Sequence, residues 1–185
     1  ILAGINSGKL LVNYIGHAYK DKWADEDLFG VADIKNLANG SKQPIILAMA
    51  CNDGYYHMPY PNKYFATAEV VTRAQGKGAV ASWSSTGMGM SNAQEYLNRG
   101  FLYAYSTLNT PTVGQATLTG KAFLWASGGN LESLDTFLLF GDPALQFPSA
   151  PTAVDLSAFN VTSAGKTVTV AWQTENEVDN LGFNV

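Results

Sequence analysis

Four short apolar runs restrict the folds that this chain of 185 residues can adopt, and each has a glycine or proline at one end. Runs of this length are typical of strands that are buried on both faces of a sheet. They cover residues 10–15, 44–50, 78–83 and 137–140. Apolar residues at helical spacing predict helices over 28–38, 65–75, 93–105 and 112–127. This alternation predicts an α/β domain with a mostly parallel sheet.

The composition shifts between Pro148 and Pro151, which suggests a second domain. Apolar and polar residues alternate over 154–159 and 167–172, with a turn at 162–166, as in antiparallel strands. We therefore expect one domain over 1–148, and a linker with the first strands of a truncated β-sandwich over 149–185. Because residues 182–185 also resemble a strand, we expect this to be a piece of a longer protein. The sheet is expected to lack strands on its N-terminal side.

Composition excludes several classes of protein. Hydrophobic residues make up 46% and charged residues 14%, so the chain can bury enough apolar surface to fold. The net charge of −4 leaves no basic excess to neutralise the phosphates of a nucleic acid. No apolar run is long enough to span a bilayer. The single cysteine cannot form an internal disulfide, and nothing in the sequence specifies an oligomeric state.

A histidine and the cysteine follow two of the predicted strands. His17 comes after the run 10–15, and Cys51 directly after the run 44–50. Ligands bind beyond the carboxyl ends of parallel strands, and the 34 residues between the two positions suffice for one crossover. A thiol reacts as its thiolate, which a nearby imidazole can generate. The residues therefore suggest nucleophilic catalysis, although Cys51 as plain core and His17 as a turn residue are the alternatives.

Other titratable residues offer competing interpretations. His57 lies in an aromatic loop and could replace His17 as the base. Two histidines and one cysteine could bind zinc, but their spacing matches no zinc pattern. An acidic cluster could bind calcium or begin a helix. It consists of Asp21, Asp25, Glu26 and Asp27.

Four segments together resemble the gingipain-like cysteine peptidases. The segment 7–17, continued by Trp23-Ala24-Asp25, resembles the surroundings of their catalytic histidine, and Ala48-Met-Ala-Cys51-Asn-Asp-Gly54 resembles their nucleophile segment. The segments 76–81 and 139–143 resemble later landmarks of the family. The resemblance covers about residues 1–148 and implies a caspase-like fold with three α/β/α layers.

The resemblance also assigns roles to individual residues. Cys51 would be the nucleophile and His17 the base and acid. The backbone N–H groups of Cys51 and Ala18 would form the oxyanion hole. Ala18 departs from the glycine that the family usually has, and the acidic partner of the histidine lies upstream of this chain in the family.

The loop 82–92 follows the third predicted strand and is expected to wall the substrate pocket. Its pocket candidates are Trp83, Ser84 and Met88, and Gly87 and Gly89 make it pliable. The alternative is an ordinary surface loop.

The tail 167–185 resembles a β-sandwich module of secreted bacterial proteins, and immunoglobulin-like domains follow the gingipain catalytic domain. We therefore expect a secreted cysteine endopeptidase, extracellular or on the cell surface, that cleaves protein or peptide substrates without a cofactor or metal. The alternatives are a catalytically inactive binding module, which the Ala18 departure suggests, and adhesion through the β-sandwich. Because the family's acidic partner for the histidine lies upstream, we expect this piece to be poorly active by itself.

Overall fold

The computed structural model describes residues 1–57, 65–148, 156–165 and 167–174. The chain divides into two compact units, Ile1–Leu145 and Gln146–Val185. Among the described residues, no helix combines the length and the apolar character needed to cross a membrane.

In the described residues of the first unit, 1–57 and 65–145, there are six strands and six helices. The strands are β1 (Leu11–Ile15), β2 (Lys22–Trp23), β3 (Phe29–Gly30), β4 (Ile45–Met49), β5 (Ala81–Ser85) and β6 (Phe137–Phe140). The helices are α1 (Leu2–Asn6), α2 (Val31–Ile34), α3 (Thr67–Arg73), α4 (Ser91–Ser106), α5 (Val113–Ser127) and α6 (Glu132–Thr136).

Four of these strands form the central sheet, in the order β1-β4-β5-β6. β1, β4 and β5 run parallel, and β6 is antiparallel to β5. Three of the predicted apolar runs contain one of these strands, and the run 78–83 overlaps β5, so the α/β class and the mostly parallel sheet are confirmed. β4 is buried along its whole length, which explains its uninterrupted apolar sequence.

Helices cover both faces of the sheet. On one face, Ile46 of β4 belongs to a buried cluster with Ile5 of α1, Ile34 of α2 and Val71 of α3. On the other face, the Trp83 ring of β5 stacks on the Phe101 ring of α4. The result is the expected arrangement of three layers, with the sheet between two layers of helices.

Two glycines let α4 and α5 approach each other closely. A Cβ added to Gly100 of α4 would come within 2.6 Å of the Gly120 Cα of α5, and one added to Gly120 would come within 2.5 Å of the Trp83 ring. A side chain at either position would therefore separate the two helices or displace the tryptophan.

The segment 28–38 differs from its prediction as a helix. Phe29–Gly30 forms β3, which pairs with β2 in a small hairpin, and α2 is only four residues long. Ile34 and Leu37 are buried as the spacing suggests, but Leu28 is 50% exposed. A spacing of three residues therefore reflects contacts with the core here and not a continuous helix.

The second unit contains a two-stranded antiparallel hairpin in its described residues. β7 (Leu156–Ala164) pairs with β8 (Thr167–Thr174), and Gly165 forms the turn with a left-handed φ of 63°. The turn predicted at 162–166 begins too early, because β7 continues to Ala164. Residues 154, 155 and 182–185, which were also predicted as strand, lie outside the described residues, and the β-sandwich remains a prediction.

Candidate active site

The register of β1 and β4 places His17 and Cys51 at equivalent positions beyond adjacent strand ends. Ile15 pairs with Met49, and the Gly16 N–H donates to the Met49 carbonyl at 3.2 Å, so the pairing continues past the end of β1. His17 and Cys51 each lie two residues beyond that last pair. Their 34-residue separation therefore equals the register offset between the two parallel strands.

The sulfur of Cys51 contacts one residue of the segment that follows β5. Cys51 Sγ accepts a hydrogen bond from the Gly89 N–H at 3.4 Å and lies 3.5 Å from the Gly89 carbonyl oxygen. The cysteine is half-buried. Its thiol is thus held at a fixed position without being sealed in the core, and His17 makes no hydrogen bond to it in the described part of the chain.

The turn after Cys51 is attached to the end of β5. The Asn52 N–H donates to the Gly87 carbonyl at 3.0 Å, and the Gly54 N–H donates to the Ser85 carbonyl at 2.8 Å. Asn52 has a left-handed φ of 59°, a conformation that asparagine tolerates better than most residues. The segment predicted as a pocket wall therefore also supports the cysteine turn.

His17 lies in a narrow loop that leads into β2. Its carbonyl oxygen accepts hydrogen bonds from the Tyr14 hydroxyl at 2.6 Å and from the Ala24 N–H at 2.9 Å. Ala18 forms an isolated antiparallel bridge with Trp23. The backbone at His17 is therefore fixed from two sides, while its imidazole is exposed.

The departure from glycine at Ala18 causes no backbone strain. Ala18 is not among the residues with a left-handed φ. It packs against the buried cluster that contains Ile46 of β4. The hydrogen bonds of its bridge come from the N–H groups of Tyr19 and Ala24, which leaves the Ala18 N–H unused by the bridge. Within the described residues, neither the Ala18 nor the Cys51 N–H donates a hydrogen bond.

Asp53, two residues after Cys51, is fully buried and was not singled out from the sequence. Its Oδ1 accepts a hydrogen bond from the indole N–H of Trp23 at 2.6 Å, and its Oδ2 accepts one from the Ser84 hydroxyl at 2.7 Å. Burial raises the pKa of Asp53 from 3.8 to about 6, and the two hydrogen bonds oppose this shift. No local sequence pattern marks this position, because both partners are distant in the chain.

The raised pKa predicts that Asp53 makes stability fall as pH rises. Between the unfolded pKa of 3.8 and the folded pKa of about 6, the unfolded chain loses its proton first, so ionisation favours unfolding. Relative to Asp53→Asn, the wild type should lose about 3 kcal/mol of unfolding free energy between about pH 3 and pH 7.5. Denaturant unfolding of both proteins across this range measures the difference, and a constant difference would contradict the shift.

The structure corrects two of the three pocket candidates. Trp83 and Ser84 lie inside β5 and are fully buried. The Trp83 ring stacks on Phe101 at 5.5 Å and meets Phe137 edge-on at 5.6 Å. Because these side chains fill the core, they cannot wall an open pocket. Met88 is 79% exposed and stays a candidate.

A cavity of about 340 Å³ lies between the ends of β1 and β4 and the beginning of α4. Ile15 and Met49, each two residues before a predicted catalytic residue, line it on the sheet side. Gln94 and Asn98 line it from α4 and are each 6% exposed, yet Gln94 Nε2 and Asn98 Oδ1 have no hydrogen-bond partner among the described residues. The sequence signal for them is a polar pair at i, i+4 on the otherwise apolar face of a helix.

The second histidine lies in aromatic packing. The His57 ring is 4.0 Å from the Tyr55 ring and 5.7 Å from the Tyr56 ring, and Tyr56 meets Phe140 of β6 at 6.0 Å. The hydrogen bonds of Cys51 in the part of the chain that the structure describes involve Gly89 and not His57. These contacts favour loop packing for His57.

The acidic cluster does not converge on a metal site. Asp25 accepts a hydrogen bond from the Tyr19 hydroxyl at 2.8 Å, and Asp27 forms an ion pair with Lys22 at 3.0 Å. Within residues 1–57, 65–148, 156–165 and 167–174, no three histidine, cysteine or acidic side chains form a possible metal site. The alternative interpretations as calcium or zinc sites therefore have no geometric support in these residues.

Comparison with known sequences gives one family. The family described as Peptidase family C25 matches residues 1–148. Gingipain R2 of Porphyromonas gingivalis is 30% identical over 188 residues, which cover 92% of this chain and 24% of the relative. Gingipain R1 of the same species is 30% identical over 187 residues, which cover 91% of this chain and 18% of the relative. The chain thus spans about a quarter or less of these relatives.

Solved structures give the same result. The crystal structure of the Arg specific cysteine proteinase gingipain R (RGPB) matches with a TM-score of 0.67 at 29% identity, covering 85% of this chain and 38% of that one. A structure described as "Structure of Protease" matches with a TM-score of 0.71 at 20% identity, covering 88% and 40%. The second match concerns the fold alone. The caspase-like α/β fold implied by the resemblance is supported by both.

Proposed function

The chain belongs to peptidase family C25, and on that basis we propose that the protein is a secreted cysteine endopeptidase that cleaves peptide bonds with Cys51 and His17. The observation that carries this proposal is the strand register, which brings the only cysteine and His17 to equivalent positions beyond two adjacent parallel strands. The half-buried Cys51 thiol and the exposed His17 imidazole support this proposal, because nucleophilic catalysis requires an accessible thiol with a base within reach.

The proposed mechanism gives each group a role at a stated atom. His17 takes the proton of the Cys51 thiol, and Cys51 Sγ then attacks the scissile carbonyl carbon. The developing oxyanion accepts hydrogen bonds from the Cys51 and Ala18 N–H groups, which donate no other bond in the described part of the chain. His17 next gives its proton to the leaving amine, and water hydrolyses the thioester to release the second product and the free thiol.

The cavity between the ends of β1 and β4 and the beginning of α4 is the best-supported pocket for a substrate side chain. Its sheet side is apolar, and its α4 side presents a buried donor, Gln94 Nε2, and a buried acceptor, Asn98 Oδ1. Unpartnered buried groups cost free energy until a ligand satisfies them. A side chain that both donates and accepts hydrogen bonds, such as an amide, satisfies the pair. We therefore propose a substrate preference different from the arginine named for the solved relative.

Gln94→Leu should lower kcat/KM for a glutamine-containing peptide by about tenfold or more, because the leucine removes a buried hydrogen-bond donor at similar volume. A peptide with norleucine at the same position should be cleaved equally well by both forms. Glu95→Gln is the matched control, since Glu95 lines the same cavity but its carboxylate is 63% exposed and pairs with Arg99. Unchanged glutamine cleavage by Gln94→Leu would contradict this pocket.

We also propose that β7 and β8 open an immunoglobulin-like β-sandwich, and that the protein acts outside the cell or at its surface. The antiparallel pairing of the two strands supports the first proposal. The second rests on the resemblance of the tail to modules of secreted proteins. A structure of the second unit with its native continuation tests the sandwich.

Incubation of the full-length protein with a peptide library and a thiol-reactive peptide probe tests the proposed activity. Hydrolysis that stops when one probe molecule occupies Cys51 is the expected result. The competing function is a binding module on a peptidase-like scaffold, which predicts bound but uncut peptides. Intact peptides after incubation with the correctly folded full-length protein would favour that module.

A further inference from the structure

We propose that Asp53 is a positioning residue that fixes the His17 loop to the Cys51 turn through Trp23. This inference rests on the proposed function, because it concerns how the two reacting groups are kept in register. The proposed mechanism does not use the Asp53 side chain. This side chain is fully buried, although Asp53 follows the proposed nucleophile by only two residues.

The first step of the connection leads from Asp53 to the hairpin that contains Trp23. The indole N–H donates to Asp53 Oδ1 at 2.6 Å, a short hydrogen bond between two fully buried side chains. On the cysteine side, the Asp53 carbonyl accepts a hydrogen bond from the Ala68 N–H of α3 at 3.1 Å. The aspartate is therefore anchored by its backbone while its carboxylate holds the tryptophan.

The second step leads from Trp23 to His17. Trp23 stacks on Tyr14 with ring centroids 4.4 Å apart and an angle of 2° between the planes. The Tyr14 hydroxyl donates to the His17 carbonyl oxygen at 2.6 Å, and Trp23 itself bridges Ala18. A movement of the indole would therefore shift both the backbone of the proposed base and one proposed oxyanion donor.

The second carboxylate oxygen supplies a matched control. Ser84 donates to Asp53 Oδ2 at 2.7 Å, about as short a hydrogen bond as that of Trp23, and the Ser84 hydroxyl lies 2.9 Å from that of Ser82. Ser82 and Ser84 both belong to β5 and make no contact with the His17 loop among the described hydrogen bonds. Loss of the Ser84 bond removes a partner of the same carboxylate without touching the connection to His17.

The experiment compares Trp23→Phe, Tyr14→Phe and Ser84→Ala in the full-length protein. Trp23→Phe removes the N–H donor but keeps a ring on Tyr14, and Tyr14→Phe removes only the hydroxyl. Both should lower kcat by about tenfold while KM changes less than about twofold, because a misplaced catalytic group affects the reacting geometry more than binding. Ser84→Ala should leave kcat within about twofold of the wild type. Denaturant unfolding of each variant separates stability from activity.

Two further variants and one chemical readout complete the test. Asp53→Asn, which keeps the shape and the acceptor for Trp23, should restore most of the kcat that Asp53→Ala loses. The alkylation rate of Cys51 by iodoacetamide should fall in Trp23→Phe and not in Ser84→Ala. Equal losses of kcat in Trp23→Phe, Tyr14→Phe and Ser84→Ala would overturn the positioning role. Absence of hydrolysis in the wild type would instead overturn the proposed function, and the alkylation comparison would still decide the positioning role.

Discussion

Replacement of Cys51 by alanine should lower kcat/KM for peptide hydrolysis by about 10⁴-fold or more in the full-length protein, as expected when a covalent nucleophile is removed. The chain offers no second thiol, so no other cysteine among its residues can substitute. Because the Cys51 side chain is half-buried and its hydrogen bonds in the described residues involve only Gly89, the substitution should not disturb the fold. Initial rates with a cleavable peptide, measured for wild type and variant, give the ratio.

Ser106→Ala is a suitable control for this comparison. Ser106 ends α4 and donates its hydroxyl hydrogen bond to the Leu102 carbonyl of the same helix. It should hydrolyse peptides at the wild-type rate. Turnover by Cys51→Ala at a comparable rate would remove the cysteine from the mechanism.

Trp83→Ala should destabilise the first unit by about 3–5 kcal/mol, because it empties a large site in the core. Trp83 is fully buried between rings from α4 and β6, and α5 approaches it at Gly120. The prediction follows from the correction of its role, since a tryptophan on a pocket wall would affect substrate binding more than folding. Denaturant unfolding gives the change in free energy.

Met88→Ala is the matched comparison for Trp83→Ala. Both residues were pocket candidates, but Met88 is 79% exposed. Its truncation should change the unfolding free energy by less than about 0.5 kcal/mol. Similar stability losses in the two variants would contradict the placement of Trp83 in the core.

The positions of His17 and Cys51 were predictable because they depend on strand ends. Apolar runs bounded by glycine mark buried parallel strands, and adjacent parallel strands end at the same edge of a sheet. The separation of His17 and Cys51 in the sequence must also equal the register offset between β1 and β4. No sequence pattern specifies this register. The register of Ile15 with Met49 supplies this match.

The role of β5 was less predictable because it carries buried serines. The sequence predicts that the strand ends at Trp83, which places Ser84 in the loop that follows, although Ser82 lies within the predicted strand. The structure buries both hydroxyls, because they hydrogen-bond each other and because Ser84 donates to Asp53. Polar partners from distant segments decide such burial, so local composition misleads.

The most direct test of the central claim is the alkylation rate of Cys51 by iodoacetamide near pH 7 in wild type, His17→Ala and His57→Ala. If His17 takes the thiol proton, its removal should slow alkylation by about tenfold, while His57→Ala, which removes a ring packed against two tyrosines, should react like the wild type. Unchanged alkylation in His17→Ala, or a loss confined to His57→Ala, would contradict the pairing of His17 with Cys51.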